Sequence, residues 1–347
     1  MISSFVKRQS IGLRAATLVL LAAILVALAI WARPTLFSSK RRVVGLIVKT
    51  ENNPFFLAME EGAASSSKLI GFDLMTASGK QDGDFQSQIE AIETMTRAGV
   101  LGILIAPSNA KAVAPALQHA RDAGILVIAL DSPVDPSSAA DALFATDNYE
   151  AGKLIGIYAK AALRGAPPKV VTLDLFPGQP VGAQRHNGFI SGLGYPALGA
   201  SSNELSTGEE IVCMADSYGD ERKGQLAMEK CIQKGTAFNV VYAINEVAAA
   251  GAHAALKQAG RDKDVMVVSI DGGCAGVRDT KAGTIAATAQ QYPRNMAILG
   301  IDAIHQYVTT GKRPESVVNT GVTLITEHPM PGVDSRDSFF GSQACWG

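Results

Sequence analysis

The sequence predicts an α/β protein made of two Rossmann-like, doubly wound lobes, and three observations support this prediction. Short apolar runs rich in β-branched residues recur along the chain, as in parallel strands that are buried on both faces. Amphipathic helical stretches alternate with these runs. A polar stretch at 131–141 and the sequence Thr146-Asp147-Asn148 divide the pattern into two halves of similar composition. We therefore expect two lobes that face each other across a cleft.

The apolar runs predict eight strands, closed by proline, glycine, aspartate or asparagine, which favour turns. Four of them lie in the first half, at 43–48, 72–76, 102–106 and 125–130. The other four lie in the second half, at 170–175, 240–244, 265–270 and 285–289. Because these runs are short and continuous rather than alternating, they are typical of the central strands of a parallel sheet.

Apolar residues at helical spacing predict seven helices. They lie at 54–69, 85–98, 110–123, 150–163, 220–234, 246–258 and 293–309. Glycine stands at or just beyond their ends, as Gly71, Gly99, Gly124, Gly165, Gly235, Gly260 and Gly311. Glycine adopts the left-handed conformation that closes a helix at little steric cost, so these positions support the predicted ends.

The first 32 residues form a predicted export segment. The basic residues Lys7, Arg8 and Arg14 precede an unbroken apolar run at 15–32, which ends in small residues suited to cleavage. The run is also just long enough to span a bilayer, so an uncleaved signal anchor is the alternative to a signal peptide. Either interpretation predicts that the rest of the chain is exported to the periplasm, free or anchored at the inner membrane.

The net charge argues against a nucleic-acid partner. The chain has 347 residues and a formal net charge of −1. Beyond residue 32, its acidic residues outnumber its basic ones by 32 to 28. Nucleic-acid binding would need a basic surface, which a mildly acidic body does not provide.

The four cysteines predict two disulfide bonds. They form an even set without CxxC spacing, and export would place them in an oxidising compartment. Of the three possible connectivities we expect Cys213–Cys231, which closes a short local loop, and Cys274–Cys345, which ties the C-terminal tail at 336–347 to the body. Free buried thiols are the alternative.

Polar side chains follow five of the predicted strands and mark a candidate ligand site. They are Asn53, Asp131, Asn245, Asp271 and Gln291. In an open α/β sheet, ligands bind beyond the carboxyl ends of the strands. Carboxylates and amides pair with hydroxyl groups, and Phe55 and Phe56 add flat apolar faces, so the set suits a sugar. The alternative for each polar residue is a helix N-cap or a strand-end turn.

The sequence gives little support for an enzyme. It contains no GxSxG elbow, no P-loop and no GxGxxG motif after the first strand. Its five histidines are scattered without metal-ligand spacing. We therefore expect a binding protein that carries neither a metal nor a cofactor.

Six short motifs occur in a characteristic order and spacing. They are Thr50-Glu51-Asn52-Asn53-Pro54-Phe55-Phe56, Leu130-Asp131, Ala145-Thr146-Asp147-Asn148, Ala243-Ile244-Asn245-Glu246, Ile270-Asp271-Gly272 and Gln291-Tyr292-Pro293. Together they resemble the periplasmic sugar-binding proteins of the ribose-binding type, which feed ABC importers. The resemblance implies the type I periplasmic binding protein fold, with two lobes joined by three crossovers. By position, these define an N-terminal lobe at 43–146 and 292–319 and a C-terminal lobe at 147–291 and 320–335.

The resemblance also implies a set of sugar-contacting residues. They are Asn53, Phe55, Phe56, Asp131, Ser132, Arg185, Tyr218, Asn245, Asp271 and Gln291. Ribose binders carry an arginine where this chain has Ser132, and Tyr218 lies beside an apparent insertion, so we expect a sugar other than ribose. The Leu-Asp-Ser-Pro sequence at 130–133, the cysteines around Tyr218 and the Cys345-Trp346-Gly347 ending resemble the fructose-binding branch. They favour fructose, or a related ketose or pentose.

These inferences predict the periplasmic substrate-binding component of an ABC sugar importer. It would bind one monosaccharide as a monomer, close about its hinge and present the closed form to a membrane permease. The alternative is a membrane-tethered sugar sensor that passes the signal to a receptor or kinase.

Overall fold

The computed structural model describes residues 42–347, which fold into two α/β lobes. Each lobe contains one six-stranded sheet with helices packed against it. The predicted export segment at 1–32 lies outside the described residues. Among residues 42–347, no helix combines the length and apolar character needed to cross a membrane.

The elements alternate between strand and helix along most of the chain. In the first part they are β1 Val43–Val48, α1 Pro54–Ile70, β2 Asp73–Ser78, α2 Phe85–Ala98, β3 Gly102–Ile105, α3 Ala114–Asp122, β4 Leu126–Leu130 and β5 Ala142–Ala145. Next come α4 Asn148–Ala162, β6 Val170–Asp174, α5 Pro180–Leu193, β7 Ile211–Asp216, α6 Glu221–Gln233, β8 Val240–Ala243, α7 Glu246–Gln258, β9 Met266–Asp271, α8 Cys274–Ala282 and β10 Ala287–Gln290. The last are α9 Pro293–Thr310, β11 Val317–Asn319, β12 Thr323–Ile325 and α10 Ser338–Ala344.

The two sheets have the same strand arrangement. The N-terminal sheet has the order β11-β5-β4-β3-β1-β2, and all its neighbours are parallel. The C-terminal sheet has the order β12-β10-β9-β8-β6-β7 and is parallel except for β12, which runs antiparallel to β10. The chain changes sheet after β5, after β10 and between β11 and β12. The predicted fold of two lobes with three crossovers is confirmed. The predicted lobe limits stay a prediction, which this sheet membership supports.

Strand β1 shows why the apolar runs form central strands. Leu46 packs with Met59 and Ile301 in the cluster beneath α1 and α9, whereas Ile47 packs with Ile92 in the cluster beneath α2 and α3. All five side chains are inaccessible to solvent. Burying an aliphatic side chain of this size contributes about 1.5–3 kcal/mol, so a continuous apolar strand is stable only with helices on both faces.

The structure contains elements that the sequence pattern missed. All eight predicted strands and seven predicted helices are present, with ends shifted by up to four residues, as at the start of α3. The missed elements are β5, β7, β11, β12, α5, α8 and α10. Strands β11 and β12 have only three residues each, and α5 contains three glycines that hide its helical pattern.

Both predicted disulfide bonds are present. Cys213 at β7 is bonded to Cys231 in α6, with a Cα–Cα distance of 5.8 Å. Cys274, the first residue of α8, is bonded to Cys345 just beyond α10. The second bond ties the C-terminal tail to the C-terminal lobe, as the sequence predicted.

Candidate functional site

A cavity lies between the lobes at the carboxyl ends of the strands. Its lining from the N-terminal lobe is Lys49, Asn53, Phe55, Phe56, Asp82 and Asp131, and from the C-terminal lobe Leu175, Val181, Arg185, Ile244, Asn245 and Asp271. The empty space is about 380 Å³, part of which is open to solvent. The lining combines charged and amide side chains with aromatic and aliphatic ones, as in sites that bind small molecules.

The turn after β1 supplies an amide and two aromatic rings. The Asn53 side-chain oxygen accepts a hydrogen bond from the Phe55 backbone N–H and caps α1. Phe55 and Phe56 pack edge to face with centroids 5.3 Å apart, and Trp346 meets Phe55 at the same distance. Because the cap fixes the first turn of α1, both phenyl rings are held at the cavity as an apolar wall.

Asp131 is held at the end of β4 by a buried cation. Lys49 Nζ lies 3.3 Å from Asp131 Oδ2 and donates to Ser132 Oγ at 3.1 Å. Ser132 Oγ in turn donates to Asp131 Oδ2 at 2.9 Å. All three residues are buried. The lysine therefore neutralises a carboxylate that would otherwise lose its hydration without compensation.

Arg185 is the basic residue that the C-terminal lobe contributes to the cavity lining. Its Nη1 donates to Asp271 Oδ1 at 3.3 Å and to Ile244 O at 3.0 Å. Its Nε donates to Asn148 Oδ1 at 2.8 Å, and Asn148 lies in the first crossover. These contacts fix the guanidinium plane at the cavity, where a planar fork of donors can bind vicinal hydroxyl groups.

Asp271 is a buried carboxylate with several competing neighbours. Gln291 Nε2 donates to its Oδ1 at 2.7 Å. Burial raises the pKa of Asp271 to about 6, although Arg185 lowers it, and Asp131 adds to the rise. Behind it, burial raises the pKa of Glu246 to about 8, and Asp271 contributes to that rise. Asp271 is thus near its titration range at neutral pH.

Two of the three aspartates that line the cavity, Asp131 and Asp271, have unusual backbone conformations. The φ angle is 64° at Asp131 and 132° at Asp271, in regions that residues other than glycine rarely adopt. Such strain costs about 1–3 kcal/mol per residue and is concentrated at functional sites. The strained backbone points to a role for these two carboxylates beyond stabilising the fold.

The ten sequence-predicted site residues fall into three groups. Seven line the cavity: Asn53, Phe55, Phe56, Asp131, Arg185, Asn245 and Asp271. Ser132 and Gln291 lie behind the lining and bond to the two aspartates. Tyr218 is 42% exposed, stacks on Phe176 and lies outside the lining. Direct contact of each residue with a ligand stays a prediction.

Sequence reasoning missed Lys49 and Asp82. Lys49 follows directly on an apolar strand and precedes the Asn-Pro turn, so a charged residue at that position was a usable signal. Asp82 lies in the loop that follows β2, among other polar residues such as Lys80 and Asp84, and the sequence did not single it out. The apolar lining residues Leu175, Val181 and Ile244 gave no signal that distinguished them from the core.

The arrangement suits the binding of a compact polar ligand. Among the described residues, no group of three or more histidine, cysteine, aspartate or glutamate side chains is placed to hold a metal ion. The cavity instead offers carboxylates, amides and cations around an aromatic wall. Such a set can bind a compact ligand with polar edges and apolar faces.

The fold and the site define a two-lobed ligand-binding protein with an interlobe cleft. Residues 44–313, which make up more than half of the chain, match the model of the periplasmic binding protein domain. The chain therefore belongs to the periplasmic binding protein family, and it is a binding protein rather than an enzyme.

Curated relatives align over most of the chain. It is 32% identical over 273 residues to the galactofuranose-binding protein of Escherichia coli, covering 76% of this chain and 80% of that one. It is 26% identical over 298 residues to the ribose import binding protein of Bacillus subtilis, covering 86% and 92%. The crystal structure of a galactofuranose-binding protein is similar with a TM-score of 0.75 and 28% identity, covering 87% of this chain and 97% of that one.

Proposed function

We propose that this protein is the periplasmic sugar-binding component of an ABC importer and that it binds one monosaccharide in the interlobe cavity. The observation that carries the proposal is that both lobes contribute a carboxylate to one cavity, Asp131 from the N-terminal lobe and Asp271 from the C-terminal lobe. Arg185 and the wall formed by Phe55 and Phe56 line the same cavity. Carboxylates and a guanidinium bind hydroxyl groups, and phenyl rings pack on the C–H faces of a sugar ring.

The proposed binding set is the ten-residue set inferred from the sequence, and its seven cavity-lining members contact the ligand. The C-terminal residues, Arg185 and Asp271, form hydrogen bonds to one edge of the ring, while Asp131 accepts hydroxyl donors at the other. Asn53 and Asn245 use their side-chain oxygens as helix caps, which leaves an NH₂ group of Asn53 for the ligand. Ser132 and Gln291 act by orienting the aspartates.

We infer that the ligand is fructose or a related ketose or pentose. The names of the relatives support a small monosaccharide, since they include ribose, allose and galactofuranose binders. Ser132 supports a preference for a sugar other than ribose, because ribose binders carry an arginine at this position. Here the cation beside Asp131 is Lys49, which follows β1 instead of β4. The relatives are import and solute-binding proteins, which favours an importer over the sensor alternative.

Sugar binding closes the two lobes, and the closed form engages the permease. Contacts across the cleft support this step. Gln179 of the C-terminal lobe donates to Ser108 O of the N-terminal lobe, and the Gly83 backbone lies against the Phe176 ring. A ligand that bonds to both lobes stabilises this closed arrangement over an open one.

Isothermal titration with D-fructose, D-ribose, D-allose, D-galactose and L-arabinose tests the proposal. We expect one-to-one binding of one sugar, lost by at least about a hundredfold in Asp271→Ala and Asp131→Ala because each leaves a buried cation unpaired. Asp122→Ala, at an exposed carboxylate in α3, is the matched control and should bind as the wild type. Failure of all five sugars to bind would refute the proposed ligand class.

A further inference from the structure

Asp82 has a buried carboxylate oxygen that lacks a partner. It lies in the loop between β2 and α2 and lines the interlobe cavity. Within residues 42–347, its Oδ1 atom makes no hydrogen bond although it is shielded from solvent. An unpaired buried polar group of this kind costs about 1–3 kcal/mol. The cavity therefore holds an acceptor that a hydroxyl donor of a ligand would satisfy.

The β2–α2 loop is built to keep Asp82 at this place. Asp84 accepts hydrogen bonds from the Lys80 and Ser87 backbone N–H groups, which closes the loop onto the start of α2. Gly79 approaches the Lys49 carbonyl so closely that a Cβ would lie 2.6 Å from it. The loop is thereby packed against the end of β1, next to the cavity. A fixed position argues against a carboxylate that simply turns toward solvent.

The opposite lobe covers the same loop. Gly83 has a φ of 92°, and a Cβ there would meet the Phe176 ring at 3.2 Å. Phe176 stacks on Tyr218, and Lys223 lies 4.2 Å above the Tyr218 ring. The C-terminal lobe thus lies against the loop that carries Asp82, so a contact between Asp82 and a ligand would form together with closure.

The electrostatics of Asp82 agree with a desolvated carboxyl that lacks full compensation. Burial raises its pKa, Lys49 opposes the rise and Asp131 adds to it, with the Gly83 N–H and Lys223 also lowering it. A hydroxyl donor would stabilise the ionised form and reverse the shift.

We propose that Asp82 is a further ligand-binding residue, which accepts a hydrogen bond from a hydroxyl group of the sugar as the cleft closes. This inference rests on the proposed function and deepens it. The cavity then carries the carboxylates of Asp82, Asp131 and Asp271 against the cations Lys49 and Arg185. An excess of acceptors and negative charge selects a neutral polyhydroxylated ligand over its phosphate ester.

Isothermal titration of wild type, Asp82→Ala, Asp82→Asn and Gln81→Ala with the same five sugars and with fructose 6-phosphate tests the inference. We expect Asp82→Ala to weaken binding of the preferred sugar about tenfold to a hundredfold, the range for a hydrogen bond to a charged group. Asp82→Asn keeps one acceptor and should lose less. Gln81→Ala alters an exposed neighbour in the same loop and should bind as the wild type. The phosphate ester should not bind to the wild type.

Monodeoxy analogues of the preferred sugar identify the hydroxyl group. For one analogue, the loss of affinity seen with the wild type should vanish in Asp82→Ala, because the hydrogen bond is already absent. Thermal melting checks that the variants are folded. If the wild type binds a sugar and Asp82→Ala binds it with the same affinity, this inference alone is overturned. Tight binding of the phosphate ester to the wild type would also overturn it. Failure of the wild type to bind any sugar would overturn the proposed function with it.

Discussion

Arg185, Asp271 and Gln291 show how single residues hold one another in a working position. Arg185 bonds to Asn148, Ile244 and Asp271, and Gln291 bonds to the same oxygen of Asp271. Each bond fixes a group that would otherwise turn away from the cavity. Because these groups are buried, the removal of any one leaves a desolvated partner rather than a solvated one.

The raised pKa of Asp271 makes sugar affinity depend on pH. The carboxyl faces Arg185, Gln291, Asp131 and Glu246, and burial is the main reason its pKa is about 6. Hydroxyl donors and Arg185 both favour the ionised form. Sugar affinity is therefore constant above about pH 7. It falls about tenfold per pH unit below pH 6, where the Asp271 carboxyl is protonated.

Isothermal titration between pH 5 and 8 measures this dependence. Asp271→Asn is the control, since it cannot titrate and should bind weakly with a flatter pH profile. A wild-type profile as flat as that of the asparagine variant would contradict the prediction.

His186, next to Arg185 on α5, predicts a pH-dependent stability. Its Nδ1 lies 2.9 Å from Asp174 Oδ1 and its Nε2 lies 2.9 Å from Ser206 O. Both partners are acceptors, so both ring nitrogens donate and the ring is protonated. Burial lowers the pKa of His186, but Asp174 and Ser206 outweigh it and the net shift is upward. The protonated His186 ring therefore stabilises the folded protein fully when the pH is below the usual histidine pKa of 6.5. This contribution is lost as the pH rises through the raised pKa of His186.

Urea unfolding of wild type and His186→Gln between pH 5.5 and 8.5 measures this effect. We expect the free-energy difference between the two proteins to be largest at low pH and to shrink as pH rises. A difference that grows with pH would show that the histidine is buried in its neutral form.

The two asparagines show what the sequence could say about single residues. The predicted ligand role and the alternative N-cap role are not exclusive, since Asn53 and Asn245 both cap helices and line the cavity. The strand-end position revealed both roles because strand ends are also helix starts in this fold. Asp82 also follows a strand, β2, but the loop after that strand contains other polar residues, and the sequence does not show which of them reaches the cavity.

At the scale of elements, the contact between α4 and α5 positions the site. The glycines at 152, 156, 188 and 192 let the two helix backbones touch, and a Cβ at Gly152 would overlap the Arg185 carbonyl. Helices usually pack with axes 8–10 Å apart, and only small residues allow closer approach. The backbone that carries Arg185 is therefore fixed by a glycine on the neighbouring helix.

Gly152→Ala should displace Arg185 without touching its side chain. We expect a loss of unfolding free energy of about 1–3 kcal/mol from overpacking and a drop in sugar affinity of about tenfold. Urea unfolding and isothermal titration measure the two effects. Gly199→Ala is the matched control, because an added Cβ there meets no neighbouring atom. Unchanged affinity of Gly152→Ala would mean that the guanidinium is held by its side-chain partners alone.

The predictability of the elements follows from what stabilises them. Strands β1, β3, β4, β8 and β9 are buried on both faces, so their sequences are largely apolar and easily recognised. Strands β11 and β12 form because they pair with β5 and β10, which are distant in the sequence. A local sequence pattern does not encode such pairing. Helix α5 was missed because its glycines, which argue against a helix, serve its packing.

At the scale of the whole molecule, the C-terminal tail joins the two lobes. Cys345 is bonded to Cys274 in the C-terminal lobe, and the Cys274 N–H donates to Trp346 O at 2.9 Å. On the other side, Trp346 packs on Phe55 of the N-terminal lobe. Its indole N–H donates to Gln291 O in the second crossover at 3.1 Å. These contacts stabilise the arrangement in which the lobes lie together.

Trp346→Ala should therefore shift the free protein toward an open form. Trp346 is 5% exposed, and its indole contacts the aromatic wall and a crossover at once. Without it, ligand binding must supply the free energy of closure, so we expect a larger radius of gyration without sugar and an affinity about tenfold lower. Small-angle scattering with and without sugar, together with titration, measures both. Phe339→Ala, at a 73% exposed ring in the same tail, is the control and should change neither quantity. If Trp346→Ala lowers the affinity but leaves the radius of gyration unchanged, the tryptophan acts by holding the Phe55 ring in place and not by favouring closure.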